Sequence, residues 1–234
     1  MIVLGIDTSG YANAVGVADG PDNIGVLADF TFEAKTDSLE RIVANIDATL
    51  KSAGLTLEDV QGIGVGLGPG SWTGIRVGVT VGKILAFSTG KPVAGVATLE
   101  ALAYGVRSQA PLVCAVIGVG TGDTVYAACY RPERGTVSRI GDYYVGDVKG
   151  ITALLTGPAV LVGDKAEEYT RILRLESAKK VSALEIKPSG AAVACLAAQR
   201  LEHGEKDDAL SLVPLYLKES TAKAFVNKYR SSHT

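Results

Sequence analysis

Hydrophobic positions in the first third of the chain come in short runs before they turn helical. Ile2 to Ile6 and Ala14 to Ala18 flank the polar turn Asp7-Thr8-Ser9-Gly10 and read as a hairpin. Asp19-Gly-Pro-Asp-Asn23 is turn chemistry, and Ile24 to Phe32 supplies a third strand. Leu39, Ile42, Val43, Ile46, Leu50 and Ala53 then fall on one helical face, predicting a helix from Asp37, with Glu40 completing a capping box, to a stop before Gly54. Thr56 to Val60 reads as a short capped turn. Gly62 to Leu67 alternates Gly with Ile, Val and Leu, a strand with one nearly bare face where backbone or another element comes close. The tight loop Gly68-Pro-Gly-Ser-Trp-Thr-Gly74 opens a helix from about Thr73 to Ser88, closed by Gly90 and Pro92. A strand, Val93 to Ala97, and a helix, Thr98 to about Arg107, follow.

From Leu112 the same order begins again. Leu112 to Val119, Val125 to Tyr130 and Val137 to Val145 read as strands, Asp147 to Leu155 as a helix and Ala159 to Val162 as a strand. A β-β-β-α-β-α unit used twice is the layout of the actin-like (ribonuclease H-like) ATPase fold. The expected class is therefore α/β with two similar lobes, residues 1–107 and 108–218, and a polar tail, 219–234. Ser189 to Gly204 predicts a helix rich in small residues and capped by Ser189, and Pro214 to Lys218 a packed extension.

Composition narrows the chemistry. With 234 residues, 47% hydrophobic and 21% charged, the chain can bury a core, and no run reaches the ~18 apolar residues of a membrane span. The N-terminus goes straight into a strand without a secretory pattern, so the cytoplasm is the expected location. Cys114, Cys129 and Cys195 each sit in an apolar segment and read as reduced core residues. His203 and His233 are too far apart for helical spacing, which argues against a His-based zinc site, and His203 beside Gly204 reads as a helix-end residue rather than a hydrolase base. A net charge of -2 without a Lys/Arg cluster argues against a large autonomous nucleic-acid surface.

Two features carry candidate function. Asp7, Thr8 and Ser9 stand at the end of the first strand, where an actin-like ATPase holds phosphate and hydrated magnesium. A polar hairpin turn explains them equally well. The matching second-half loop, Gly118-Val-Gly-Thr-Gly-Asp123, lacks an acid at the strand end, with Asp123 the only local substitute; this disfavours a strong phosphotransferase. The second feature is a ridge of Gly74, Gly78, Gly82 and Ala86, one every four residues. Glycine within a helix costs about 1 kcal/mol relative to alanine, so close approach of another element must compensate. That element lies within the chain, with the Asp37 to Ala53 helix as candidate, or in a partner.

Gly68-Pro-Gly-Ser-Trp-Thr-Gly-Ile-Arg-Val-Gly78 resembles the GPGSFTGLRIG signature of the bacterial TsaB (YeaZ) family, with Trp72 for the usual Phe. Ile6-Asp7-Thr8-Ser9, Gly90-Lys-Pro-Val-Ala-Gly-Val96, Thr98-Leu-Glu-Ala-Leu102 and Pro214-Leu-Tyr-Leu-Lys218 extend the resemblance over nearly the whole chain. It implies an actin-like, non-catalytic partner of the TsaD subunit in making N6-threonylcarbamoyladenosine in tRNA, a dimerisation platform and activator. The implied partners are TsaD, TsaE in a larger complex, a second copy when alone, and tRNA only through the complex. The implied interface is the first two helices: Leu39, Ile42, Val43, Ile46, Gly74, Arg76, Gly78, Gly82, Lys83 and Ala86. No cofactor is required; weak ATP or ADP binding with magnesium at Asp7, Thr8, Ser9 and Asp123, or a weak actin-like ATPase, is the alternative. An old metallopeptidase label for the family finds no metal ligands here. Asp37-Ser-Leu-Glu40 replaces the family's His-Ser-Glu, and Val119-Gly-Thr121 its Asp-Ala-Arg.

Overall fold

Strand β1 (Ile2–Asp7) lies at the centre of a five-stranded sheet, antiparallel to β2 (Ala12–Asp19) on one side and parallel to β4 (Gly62–Gly66) on the other. With β3 (Val26–Glu33) and β5 (Val93–Val96) the order is β3-β2-β1-β4-β5. This computed structural model describes residues 1–10, 12–21, 25–33, 41–107, 110–120, 122–174 and 181–218. A second sheet repeats the plan: β6 (Val113–Gly118), β7 (Thr124–Glu133) and β8 (Thr136–Asp147) run antiparallel, and β9 (Ala159–Gly163) and β10 (Val181–Glu185) are parallel to β6, in the order β10-β9-β6-β7-β8. Two lobes of one topology are the actin-like arrangement expected from the element order.

Alternation along β1 divides the core. Leu4 and Ile6 point to one face, where α1 (Ile42–Ser52) and α2 (Trp72–Thr89) bury Ile42, Ile46, Leu50, Val79 and Ala86 against them. Val3 points to the other, into a core shared by both lobes. There α3 (Thr98–Gly105) and α6 (Gly190–Glu202) pack between Val3, Ala18 and Val96 of the first sheet and Val113, Ala115 and Ala128 of the second. Behind the second sheet a third core takes α4 (Ile151–Leu154) and α5 (Ala166–Leu173).

The bare strand face expected at Gly62 to Leu67 belongs to this middle layer. Gly5, Gly16 and Gly64 have no side chain to hold off α6, whose Gly190, Ala191 and Ala194 backbone and Val193 and Ala197 press directly on the sheet. Asp29 caps that helix, accepting from Ala191 N (3.0 Å) and Ser189 Oγ (2.8 Å). Gln199 Nε2 then donates to Pro21 O (2.8 Å) in the first lobe and to Gly135 O (2.7 Å) in the second, tying a turn of each to one side chain.

Several boundaries differ from expectation. The described part of the first helix begins at Ile42; Asp37, Leu39 and Glu40 lie outside the described residues, as do Thr121 and the tail 219–234. The helix expected over Asp147 to Leu155 is a 3-10 turn, Val148–Gly150, capped by Asp147 and continuing into the single turn of α4. The extension around Pro214 to Lys218 does pack: Leu215 N donates to Leu67 O (2.8 Å), and Tyr216 stacks on Trp72 at 4.4 Å.

Candidate partner surface and the closed strand end

The end of β1 is sealed by its own neighbours. Asp7 is fully buried, and its Oδ1 accepts from Ser9 N (2.8 Å) and Ser9 Oγ (2.5 Å), while Oδ2 accepts from Thr98 Oγ1 (2.7 Å). Burial pushes the carboxyl above its ordinary value; the bonds from Ser9 and Thr98 pull the other way without cancelling that. Thr8 Oγ1 donates to Gly74 O (2.6 Å), and Ser71 N donates to Ser9 O (2.7 Å). Every polar side chain of this turn is thus committed within the chain.

The signature loop is what closes it. Added Cβ atoms at Gly66, Gly70, Gly74 and Gly78 would collide with Asp7 Oδ2, Ser9 O, Thr8 O and Thr8 Oγ1 respectively. Ser71 caps α2 by accepting from Gly74 N (3.3 Å), and Gly90, at φ 68°, ends it in the left-handed conformation. The expectation that the glycine ridge faces a partner is therefore corrected. Gly74 and Gly78 rest on Thr8 and Gly82 on Val65, so the compensating close approach is between α2 and its own sheet, not the first helix or another molecule. Ala86, Ile42 and Ile46, also expected at the interface, are buried in the same core.

What these helices expose is their other side. Val43 on α1 is 62% exposed, and Ile84 and Phe87 on α2 are 59% and 69% exposed, joined by the exposed Arg76. A shallow hollow of about 330 Å³ lies along α2, lined by Thr73, Arg76, Val77, Thr80 and Val81. Lys83 is partly buried, its ammonium donating to Leu210 O (3.1 Å) and Leu212 O (2.9 Å), which pins the C-terminal extension to α2.

Asp123 is exposed on the β6–β7 turn, its backbone carbonyl accepting from Val148 N (3.2 Å). Another acid, Asp164, stands directly after β9 and is partly buried. Its Oδ1 is buried with no hydrogen-bond partner among the described residues, and burial raises its pKa against the opposing pull of its own backbone and that of Gly118 and Lys165. Sequence reasoning missed it by seeking the acid after the first strand of the repeat rather than the fourth. Among the described residues no cluster of three or more His, Cys, Asp or Glu could hold a metal ion, and no helix is long and apolar enough to cross a membrane.

Comparison with known proteins places this arrangement. A family model described as TsaD, tRNA N6-adenosine threonylcarbamoyltransferase, matches residues 32–227. The tRNA threonylcarbamoyladenosine biosynthesis protein TsaB of Bacillus subtilis is 31% identical over 140 residues, 60% of this chain and 59% of that protein. Its namesake in Escherichia coli is 33% identical over 138 residues, 58% of each chain. The chain belongs to the TsaD family, in its TsaB (YeaZ) group. YeaZ from Pseudomonas aeruginosa shares the fold, with a TM-score of 0.79 at 24% identity over 92% of this chain and 99% of that one. The aligned stretch spans less than two thirds of the curated TsaB proteins. The family model's match, residues 32–227, includes the loop Gly68 to Gly78, which here packs α2 onto the end of β1.

Proposed function

We propose that this chain is a non-catalytic partner of a TsaD-type subunit in forming N6-threonylcarbamoyladenosine in tRNA, acting in the cytoplasm as a dimerisation platform and activator. The observation that carries the reading is the outer side of α1 and α2. α2 presents Ile84 and Phe87 to solvent on the helix that carries the hollow at Arg76, and α1, packed in the same core, exposes Val43; exposed apolar side chains of this kind are what a partner's helices cover. The names of the TsaB relatives supply the reaction. A second copy uses the same surface when TsaD is absent, TsaE joins the assembly, and tRNA is reached through the complex. Activation is a population shift: a partner that binds only the competent arrangement of TsaD stabilises it by its differential affinity, without lending a catalytic group.

In this reading the chain uses no nucleotide; its Asp7, Thr8 and Ser9 bond to one another and to Thr98 and Gly74. Magnesium-ATP binding abolished by Asp7→Ala would support the alternative, a weak actin-like ATPase. The main test is light scattering after size-exclusion chromatography of this protein mixed with TsaD from the same organism. A stoichiometric complex in wild type, lost in a folded Phe87→Glu variant, supports the reading. TsaD that modifies tRNA at full rate without this chain overturns it.

A further inference from the structure

Cys114 on β6 and Cys129 on β7 stand directly opposite each other in the antiparallel ladder. Val119 N donates to Thr124 O at 2.8 Å, so Val119 and Thr124 are a hydrogen-bonded pair, and such pairs alternate with non-bonded ones along the strands. Stepping back by twos puts Ile117–Tyr126, Ala115–Ala128 and Val113–Tyr130 in the bonded class and Cys114–Cys129 in the other. Opposite Cα atoms in that class are about 4.5 Å apart, with both side chains on one face, within the roughly 4.4–6.8 Å that a disulfide spans.

We propose that Cys114 and Cys129 are a redox modification site, closing to a reversible cross-strand disulfide on the outer face of the second sheet. The ladder sets the two thiols side by side. The facing sulfur holds the Cys129 thiol below its ordinary pKa, while the same neighbour and burial push Cys114 well above its own, so Cys129 is the nucleophile. It is also the more open of the two, 5% exposed against 0% for Cys114, and it lies at a break in the β7–β8 register between Ala127 and Cys129. The same core takes Ile151 and Leu155, with Leu154 packed against it, from the single-turn α4 and its end, and Cys129 Sγ donates to Leu154 O at 3.5 Å. Cys195 belongs to a different core, inside α6.

With a peroxide as oxidant the step balances. The Cys129 thiolate attacks one peroxide oxygen, the O–O bond breaks, and the leaving hydroxide takes up the Cys129 proton as water, leaving a sulfenic acid. Cys114 sulfur attacks the Cys129 sulfur, the S–O bond breaks, and the hydroxyl departs with the Cys114 proton as a second water. Two thiols lose two electrons and one peroxide gains them. The Leu154 carbonyl then has no S–H to accept from.

The test treats the intact folded protein with hydrogen peroxide, alkylates the remaining thiols and maps the peptides by mass spectrometry. Expected are a fall from three thiols to one, a monomer lighter by two hydrogens, a linked Cys114–Cys129 peptide and full reversal by dithiothreitol. Amide exchange over residues 148–155 rises in the oxidised form, and Cys195→Ala behaves as wild type. Three thiols persisting until global unfolding, a lone sulfinic acid, or a linkage through Cys195 overturns the proposal. The wild-type map decides even if Cys129→Ser fails to fold.

Discussion

Thr8 and Gly74 meet twice: the threonine hydroxyl donates to the glycine carbonyl at 2.6 Å across 66 positions of chain, and the threonine carbonyl sits where a Gly74 side chain would start. Helix propensity alone gives Gly74→Ala a gain of about 1 kcal/mol. Collision with a backbone oxygen that cannot swing aside reverses the sign, for a net loss of about 1–3 kcal/mol. Urea unfolding of Gly74→Ala beside the exposed control Thr80→Ala measures it; a stabilised Gly74→Ala would refute the inward packing of the ridge.

Asp7 makes stability fall as pH rises. Its folded-state pKa lies above the ordinary aspartate value of 3.8, so on raising pH the unfolded chain gives up this proton first. The contribution is fully present below that value and is lost as pH climbs through the folded one. Asp7→Asn removes the window, so urea midpoints of the variant should gain on wild type from about pH 4 upward until the native group has ionised. A constant difference between the two proteins across that range would contradict the raised pKa.

Thr98 supplies the bond to Asp7 Oδ2 from another element, 91 positions away. Thr98→Val keeps the shape and removes the hydroxyl, leaving a buried oxygen short of a donor at a cost of about 1–3 kcal/mol. It also steepens the pH dependence assigned to Asp7, because one of the opposing pulls is gone. Thermal melts at acidic and neutral pH read both effects, and an equal shift at each pH would leave the second unsupported.

Phe87→Glu acts at the surface. With the side chain 69% exposed, the change should leave unfolding within about 0.5 kcal/mol of wild type. Association with TsaD or a second copy should fall by at least tenfold, as expected when a charge replaces an aromatic anchor. Sedimentation velocity with the matched melt separates the two readouts, and undiminished association would remove this face of α2 from the interface.

Strands β1 to β9, α2, α3 and α6 were legible because each has a strong period or clear punctuation, as in the Ser71 and Gly90 ends of α2. α5 and β10 were not. The eight residues of α5 mix Glu167, Glu168 and Arg171 among few buried positions, and of β10 only Val181 is buried, as suits a strand at the sheet edge. The glycine ridge shows how far spacing reaches: it told that something comes close to Gly74, Gly78 and Gly82, and could not tell that Thr8 and Val65 do so from below. The fold of the Asp7 turn onto Thr98 was equally hidden, since no local pattern links residues so far apart.

The placement of α6 has a consequence for how the molecule is made. The first sheet is complete by Val96, yet the helix that covers Gly5, Gly16 and Gly64 is the last one described, at residues 190–202. On the ribosome, the N-terminal lobe must wait until residues 190–202 have emerged before its inner face is shielded. Long-range closure of this kind slows folding and prolongs exposure of strand backbone. A nascent chain arrested before Ser189 should therefore be held by chaperones, while one extended past Glu202 is released.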